Sequence, residues 1–405
     1  MNFQLRVVDR PIDNTVRSVS VIVPTYQEAV NLVHLLPRIA HAIESAGIVG
    51  EIIVVDDNSR DGTVAVCEVA GQNVDCSIRL IVRTKDRGLA TAVLAGMDQA
   101  NGDVLVVMDA DFSHPPESIP DLVNALTGRV DFVFGSRYVK GGAVSDDWGA
   151  LRWLNSKVAT LLARGLTSAH DPMAGFFAIS KDTYRSAESV NPLGYKIGLE
   201  LIVRCKCQQV AEVPIQFVDR QHGESKLDLK QQVLYVQHLL RLYRFQFPGI
   251  AGYVRFGLVG VSGIAVDLAV FQSMLFVMSP AMARCVGIVV AMVWNYLLNR
   301  EFTFQVVASR RPTFCEFCRF AGACFAGAII NWSLSLGLIE SVSWFANRPI
   351  AAAVPGILIG SFANYFLCSR FVFGTSSDTR NACVPDEFQA SDAVVVSEPA
   401  RRNAA

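Results

Sequence analysis

Residues Val104–Glu117 read VLVVMDADFSHPPE. An aliphatic run and a methionine lead straight into Asp109 and Asp111, with one alanine between them. A short apolar run bounded by turn residues has the length of a buried strand. In extended chain, residues two apart point the same way, so both carboxylates can converge on one point. Two such charges repel unless protons or a cation intervene. A hard divalent ion, Mg2+ or Mn2+, takes oxygen ligands and keeps water and phosphate oxygens in its shell. Elsewhere Asp-x-Asp is more often a capping or turn device. Its place directly after an apolar strand favours the metal here.

Working outward, strand and helix signals alternate. Ser18–Val23 is a strand ending at Pro24, and residues 29–46 are apolar at helical spacing. Glu51–Val55 is a strand followed by the turn Asp56–Gly62; Thr63–Ala70 reads as helix, Ile78–Arg83 as strand and Ala90–Gln99 as helix. Apolar strands separated by helices imply a parallel sheet covered on both faces. In such sheets ligands gather beyond the carboxyl ends of the strands, where Asp56, Asp57, Asp109 and Asp111 fall. Val130–Gly135 is a further strand, the stretch Ser136–Lys140 is basic, and residues 147–166 form an amphipathic helix. Asp228–Gln246 is apolar at helical spacing and carries Arg241 and Arg244. That suits a helix lying in a membrane interface, with a helix packed on the domain core as the other reading.

The chain has 405 residues, of which 18% are charged, with a net charge of −1. Near-neutrality argues against nucleic acid as a partner. The ten cysteines include no second close pair at zinc-finger spacing, so free reduced thiols are expected. Residues 1–17 are polar and mixed, with no cleavable signal expected. The apolar excess is concentrated after Gly249, in segments 256–278, 282–298, 320–341 and 350–368, each about long enough to cross a bilayer. Arg300, Arg310, Arg311 and Arg319 lie between the second and third, and Arg370 follows the fourth. By the positive-inside tendency these flanks and the N-terminal domain face the cytoplasm. An internal echo links the endings Asn295–Phe304 and Asn364–Phe373, which share Asn, Tyr, Leu and Phe in register. Asp267 sits inside the first segment, where an unpaired carboxylate is costly; Arg284, Arg255 or a proton would neutralise it. Asn331–Ser333 matches a glycosylation sequon but lies within an apolar segment. The expected division is an N-terminal extension (1–17), a catalytic domain (18–227), an interfacial helix (228–248), a four-helix membrane domain (249–373) and a disordered tail (374–405).

Val23–Glu28, Val54–Thr63 and Asp109–Asp111 together resemble inverting nucleotide-sugar glycosyltransferases of family 2. These have a GT-A fold: Rossmann-like α/β with a mainly parallel sheet. Asp109–Glu117, Gly135–Tyr138 and Val213–Lys226 look like the dolichol-phosphate mannose synthases. The C-terminal segments are similar to the GtrA-type all-α membrane domain. The resemblance implies that Pro24, Tyr26, Glu28, Asp56 and Asp57 line a nucleoside pocket. Plain turn chemistry is the other reading of Asp56 and Asp57. Asp109 and Asp111 would hold the metal bridging the donor diphosphate. Ser113 stands where such families often place a glutamine ligand. Arg220 and Lys226 would close over the same phosphates.

Transfer to an alcohol needs a general base. A polyprenyl monophosphate, with a second pKa of about 6, arrives ionised. It needs cations that position it: Arg137 and Arg152, with Lys140 and Lys157 as further candidates and Ser156 as a donor. Asp171 is the best candidate base, against a structural acid before Pro172. Glu200 is expected to organise the acceptor site. The implied reaction is mannose transfer from GDP-mannose to a polyprenyl phosphate at the cytoplasmic membrane face. Alternatives are a UDP-glucose or other hexosyl transferase, and a lipid-linked-sugar flippase or scaffold. A processive synthase is disfavoured, because Arg152-Trp153 follows Gly149 rather than Gln.

Overall fold

A computed structural model describes residues 18–126, 128–144, 150–188, 190–191, 193–194, 196–217, 229–304, 306, 313–373 and 394–395. The chain divides into two units, Met1–Gln246 with Glu387–Ala405, and Phe247–Asp386.

The first unit runs β1 (Val19–Thr25), α1 (Ala29–Ser45), β2 (Gly50–Asp56), α2 (Thr63–Asn73), β3 (Ser77–Val82), α3 (Leu89–Gln99), β4 (Val104–Val107) and α4 (Ile119–Ala125). It continues with β5 (Phe132–Ser136), β6 (Ala143–Val144), α5 (Ala150–Ala163), β7 (Phe177–Ser180), α6 (Lys181–Arg185), α7 (Ile197–Arg204), β8 (Val210–Pro214), β9 (Gln216–Phe217) and α8 (Leu229–Gln246). The central strands β1, β2 and β4 are buried almost throughout, as their unbroken apolar runs require of strands covered on both faces.

The sheet order from β3 is β3-β2-β1-β4-β7-β5-β8. β1, β2, β3 and β4 are mutually parallel neighbours, as are β5 and β8, whereas β7 runs antiparallel between β4 and β5. That reversal positions the site. Val107 is opposite Phe177, so the loop entering β7 lies at the same rim as the acids leaving β4. Of the tail, β10 (Val394–Val395) is described, pairing antiparallel with β3; the rest lies outside the described residues.

α8 presents apolar residues on two sides. Leu239, Leu242 and His238 are buried, while Val233, Val236 and Leu240 are exposed. The buried side packs within the first unit: Tyr235 donates to the Ala159 carbonyl, Tyr243 to the Leu162 carbonyl, and His238 meets Glu200. Packing on the core therefore describes one face, and a lipid-facing role is left to the other.

The second unit contains α9 (Pro248–Met274), α10 (Pro280–Leu298), α11 (Phe314–Ser341), α12 (Ser343–Ala346) and α13 (Pro349–Leu367). Among the described residues, Pro248–Met274, Phe314–Ser341 and Ala351–Val372 are long and apolar enough to cross a membrane. α10 occupies the second expected segment. α10 and α13 both end in a π-helical turn, Asn299–Thr303 and Cys368–Val372. The sequence echo is an echo in packing. Phe256 meets Tyr365 at 5.8 Å and Phe304 at 6.4 Å; Phe320 meets Tyr296 at 5.7 Å and Phe373 at 6.2 Å. Phe304 and Phe373, matching positions of the two endings, stack at 4.6 Å. Gly263 leaves room for Asn295 as Gly327 does for Asn364; a methyl group at either would collide with the amide. The two helix pairs thus meet through reciprocal contacts of an aromatic cluster.

Candidate active site

The carboxyl ends of β1, β2 and β3 form one side of the rim. Register places Pro24 beside Val55 and Thr25 beside Asp56. Tyr26 is exposed, Gln27 has a left-handed φ of 62°, and the Gln27 amide donates to Ser59 Oγ. Glu28 accepts from Asn31 Nδ2 at 2.6 Å. Asp56 is buried and accepts from the amide and hydroxyl of Ser59. Asp57 accepts from Arg83 at 2.6 and 2.8 Å and from the Gly88 amide at 2.8 Å. Both aspartates brace the loops around the expected nucleoside pocket through intramolecular partners, which is the turn-forming part of what the sequence suggested.

The second side is the end of β4. Asp111 is buried, and its Oδ1 accepts from the Ser113 hydroxyl at 2.5 Å and amide at 3.1 Å. Phe112 between them has φ 61°, which turns the chain sharply after the strand. Ser113 is thereby held beside Asp111, as a ligand at that position requires. Asp109 keeps 27% of its side chain exposed, and its backbone amide donates to His114 Nδ1 at 3.0 Å. His114 is buried, stacked on Phe176 at 5.3 Å. Burial, first among the causes, pulls its pKa down, against the nearby Asp109 and Asp111 charges. An acceptor at Nδ1 agrees with a neutral ring. His114 lay in the quoted stretch without a role; its signal is an imidazole in reach of its own turn. Among the described residues no three His, Cys, Asp or Glu side chains gather around one point. The expected donors, two carboxylates and a hydroxyl, are oxygen only, which fits Mg2+ or Mn2+ completed by water and phosphate.

The third side comes from β5 and the loop before β7. Arg137 donates through Nε at 2.7 Å and Nη2 at 2.8 Å to Asp171, and its amide donates to the same carboxylate at 3.2 Å. Asp171 is fully buried. Glu212 on β8 accepts from the amides of His170 and Asp171, both at 2.9 Å; its role was invisible in sequence because its partners are 42 and 41 residues away. Tyr138 and Ser156 share a hydrogen bond of 2.8 Å, with Lys157 4.3 Å over the tyrosine ring. Arg152 lies on α5 four residues before Ser156; its side chain is outside the described residues. Lys140 is exposed in the turn after β5. Gly175 closes the loop against Asp109: a Cβ there would sit 3.2 Å from Oδ2. The β7 reversal thus joins the acids of β4 to Arg137 and Asp171. Arg220 and Lys226 lie outside the described residues.

Glu200 is not at this rim's surface. It is buried on α7 and accepts from Arg204 at 3.1 Å, His238 at 2.7 Å and Arg241 at 3.1 Å. Burial would raise its pKa, but the hydrogen bond from His238 and the charges of Arg241 and Arg204 hold it below the ordinary value. It pins α8 to the domain through His238 and Arg241.

Residues 20–186 match the family described as Glycosyl transferase family 2, and residues 255–373 match the GtrA/DPMS transmembrane domain. The dolichol-phosphate mannosyltransferase of Mycosarcoma maydis is 46% identical over 237 residues, covering 57% of this chain and 80% of that protein. The chain belongs to the dolichol-phosphate mannosyltransferase family. The Pyrococcus furiosus protein of the same name is 38% identical over 319 residues, covering 78% of this chain and 88% of its own. The Saccharomyces cerevisiae protein is 40% identical over 236 residues, covering 56% and 88%. The expected glycosyltransferase with a GtrA-type membrane domain is therefore borne out. Among solved structures, glucosyl-3-phosphoglycerate synthase from Mycobacterium tuberculosis in complex with Mn2+, UDP and phosphoglyceric acid aligns with a TM-score of 0.46. It is 18% identical, covering 60% of this chain and 86% of that one.

Proposed function

We propose that this member of the family transfers mannose, with inversion, from GDP-mannose to a polyprenyl monophosphate at the cytoplasmic face of a membrane. The observation that carries this reading is the Arg137–Asp171 pair. Asp171 is the best-placed candidate base, yet its oxygens are engaged by Nε and Nη2 of Arg137. A carboxylate held in that fork is a poor proton acceptor. An acceptor that already carries its negative charge removes the need for one, and a phosphate monoester does so above about pH 6.

In the reaction a phosphate oxygen attacks the anomeric carbon from the face opposite the nucleotide. The bond to the diphosphate oxygen breaks, and its electron pair leaves with GDP. Asp109, Asp111 and Ser113 would hold a divalent cation; when bound, it neutralises charge growing on the departing diphosphate. His114 fixes the Asp109 backbone, and Ser113 fixes Asp111. Arg137, held flat by Asp171, receives the acceptor phosphate, with Ser156 on α5 near it and Arg152 of the same helix proposed as a further contact. Arg220 and Lys226 are proposed over the donor phosphates. Pro24, Tyr26, Glu28, Asp56 and Asp57 are proposed around the nucleoside.

A polyprenyl chain stays in the bilayer because its burial is worth about 0.8 kcal/mol per CH2. The enzyme must work at that surface. The exposed stripe Val233, Val236 and Leu240 on α8 supports an interfacial helix, and the arginines after α10 and α13 support four crossings with cytoplasmic ends. Incubating membranes with labelled GDP-mannose and, separately, labelled UDP-glucose tests the donor. Label from GDP-mannose in the organic phase is expected; label only from UDP-glucose would replace the donor.

A further inference from the structure

The turn that leaves β4 holds a costly shape. Phe112 stands between Asp111 and Ser113 at φ 61°, a left-handed conformation that bulky side chains rarely adopt and that persists only where the surroundings enforce it. Some of that hold is internal. His114 Nδ1 accepts the Asp109 amide, and the half-buried Phe112 ring packs on the core cluster that contains Met108 and Ile119.

A further hold comes from α1. Arg38 donates to Glu117, 79 residues on, through Nε at 3.0 Å and through Nη2 at 2.8 and 3.0 Å. The same guanidinium lies 5.5 Å from the centre of the Phe112 ring, within cation–π reach. Glu117 belongs to the 3-10 turn Pro116–Ser118 that follows the acids. One side chain thus spans the strained corner and the turn beyond it. The pair is open to water, with 47% and 59% of the two side chains exposed, so it adds little to global stability. A fork does something a single contact does not: it fixes the plane of the guanidinium. A guanidinium fixed in this way can brace the ring beneath it.

We propose that Arg38 is a positioning residue for the metal site. Clamped to Glu117, it holds the Phe112 corner left-handed, and that corner keeps Ser113 folded back on Asp111, where the hydroxyl and amide both reach Oδ1. Arg38 acts through the turn and is not itself a ligand. This rests on the reading of Asp109, Asp111 and Ser113 as the metal-binding set. In sequence Arg38 is one more exposed charge on a helix, because its partner is distant along the chain.

The test is Mn2+ binding to the full chain in detergent, read by electron paramagnetic resonance, with the melting temperature measured alongside. Arg38→Met should weaken Mn2+ about 3-fold or more, the scale of an exposed cation–π contact and its fork, with the melting temperature within about 2 °C of wild type. Excess Mn2+ should return kcat to near the wild-type value, because the ligands themselves are intact. Glu117→Gln should weaken Mn2+ in the same way. Arg38→Lys keeps the charge without the fork, and should recover only part of the affinity. Phe112→Gly supplies a corner that needs no brace, since glycine takes this φ freely. Adding Arg38→Met to it should change Mn2+ affinity by less than about 1.5-fold, the mark of two residues acting through one element. Wild-type Mn2+ affinity in Arg38→Met, an equal loss with and without Phe112→Gly, or a kcat that excess Mn2+ does not restore would reduce the pair to a surface contact. If Phe112→Gly does not fold, the single variants and the Mn2+ rescue decide the matter. Absence of Mn2+ binding by the wild type would instead overturn the metal reading, and this proposal with it.

Discussion

Asp57 and Asp109 both follow apolar, mutually parallel strands of one mixed sheet, at one rim, in similar local sequence. Asp57 lies against Arg83, with 10% and 6% of the two side chains exposed. Asp109 keeps 27% exposed and faces His114 at 3.8 Å, a ring that already accepts the Asp109 amide proton. Asp171, fully buried against Arg137, belongs with Asp57. A strand-end aspartate in sequence is therefore ambiguous between brace and ligand. The partner that the fold delivers separates them: an arginine from the next strand makes a brace, and an open rim leaves Asp109 available to the proposed metal.

The widest separation should come from deleting a braced acid. Asp57→Ala strands the buried Arg83 guanidinium, and a loss of about 3–5 kcal/mol of stability is expected, measured by denaturant unfolding of the purified protein. Little change would erase the distinction between the two acids. Next, Asp109→Ala should cost about 10²-fold or more in kcat/KM with melting temperature nearly unchanged. Chelation by EDTA should abolish transfer, and added Mn2+ or Mg2+ should restore it. A variant that melts early and stays active would invert the assignment.

Asp171→Asn should cost less than either. It keeps the shape and loses the charge that holds Arg137, so kcat/KM for the acceptor should drop about 10-fold. A loss of about 10³-fold or more, with the alkaline limb of the rate profile displaced, would instead mark Asp171 as the base. The smallest effect concerns Glu200. Its folded pKa lies below the ordinary carboxylate value, so its stabilising contribution is complete above about pH 4.5 and disappears as pH falls through the lowered value. Stability of the wild type between pH 5 and 3 should decline more steeply than that of Glu200→Gln; parallel curves would remove Glu200 from the hold on α8.

Much of this was legible beforehand. Unbroken apolar runs located β1, β2 and β4, and the Asp-x-Asp step after β4 pointed to the rim. Basic residues after β5 placed Arg137. What stayed hidden depended on partners distant in sequence. The four residues of β7 carry no mark of running antiparallel, yet that reversal brings Gly175 to Asp109. Glu212 looks like an ordinary surface charge until it meets the amides of His170 and Asp171. Apolar residues on two sides of α8 gave two defensible readings, and His238 meeting Glu200 decided one face. The echo between the Asn295 and Asn364 endings was legible, but the aromatic cluster that joins them to Phe256 and Phe320 emerges only from packing.

The most direct test of metal-assisted transfer is Mn2+ binding to the full-length protein, followed by electron paramagnetic resonance with and without GDP-mannose. Stoichiometric binding that tightens with the nucleotide sugar and is lost in Asp109→Asn, at unchanged melting temperature, is the predicted result. Equal Mn2+ affinity in wild type and variant would contradict it.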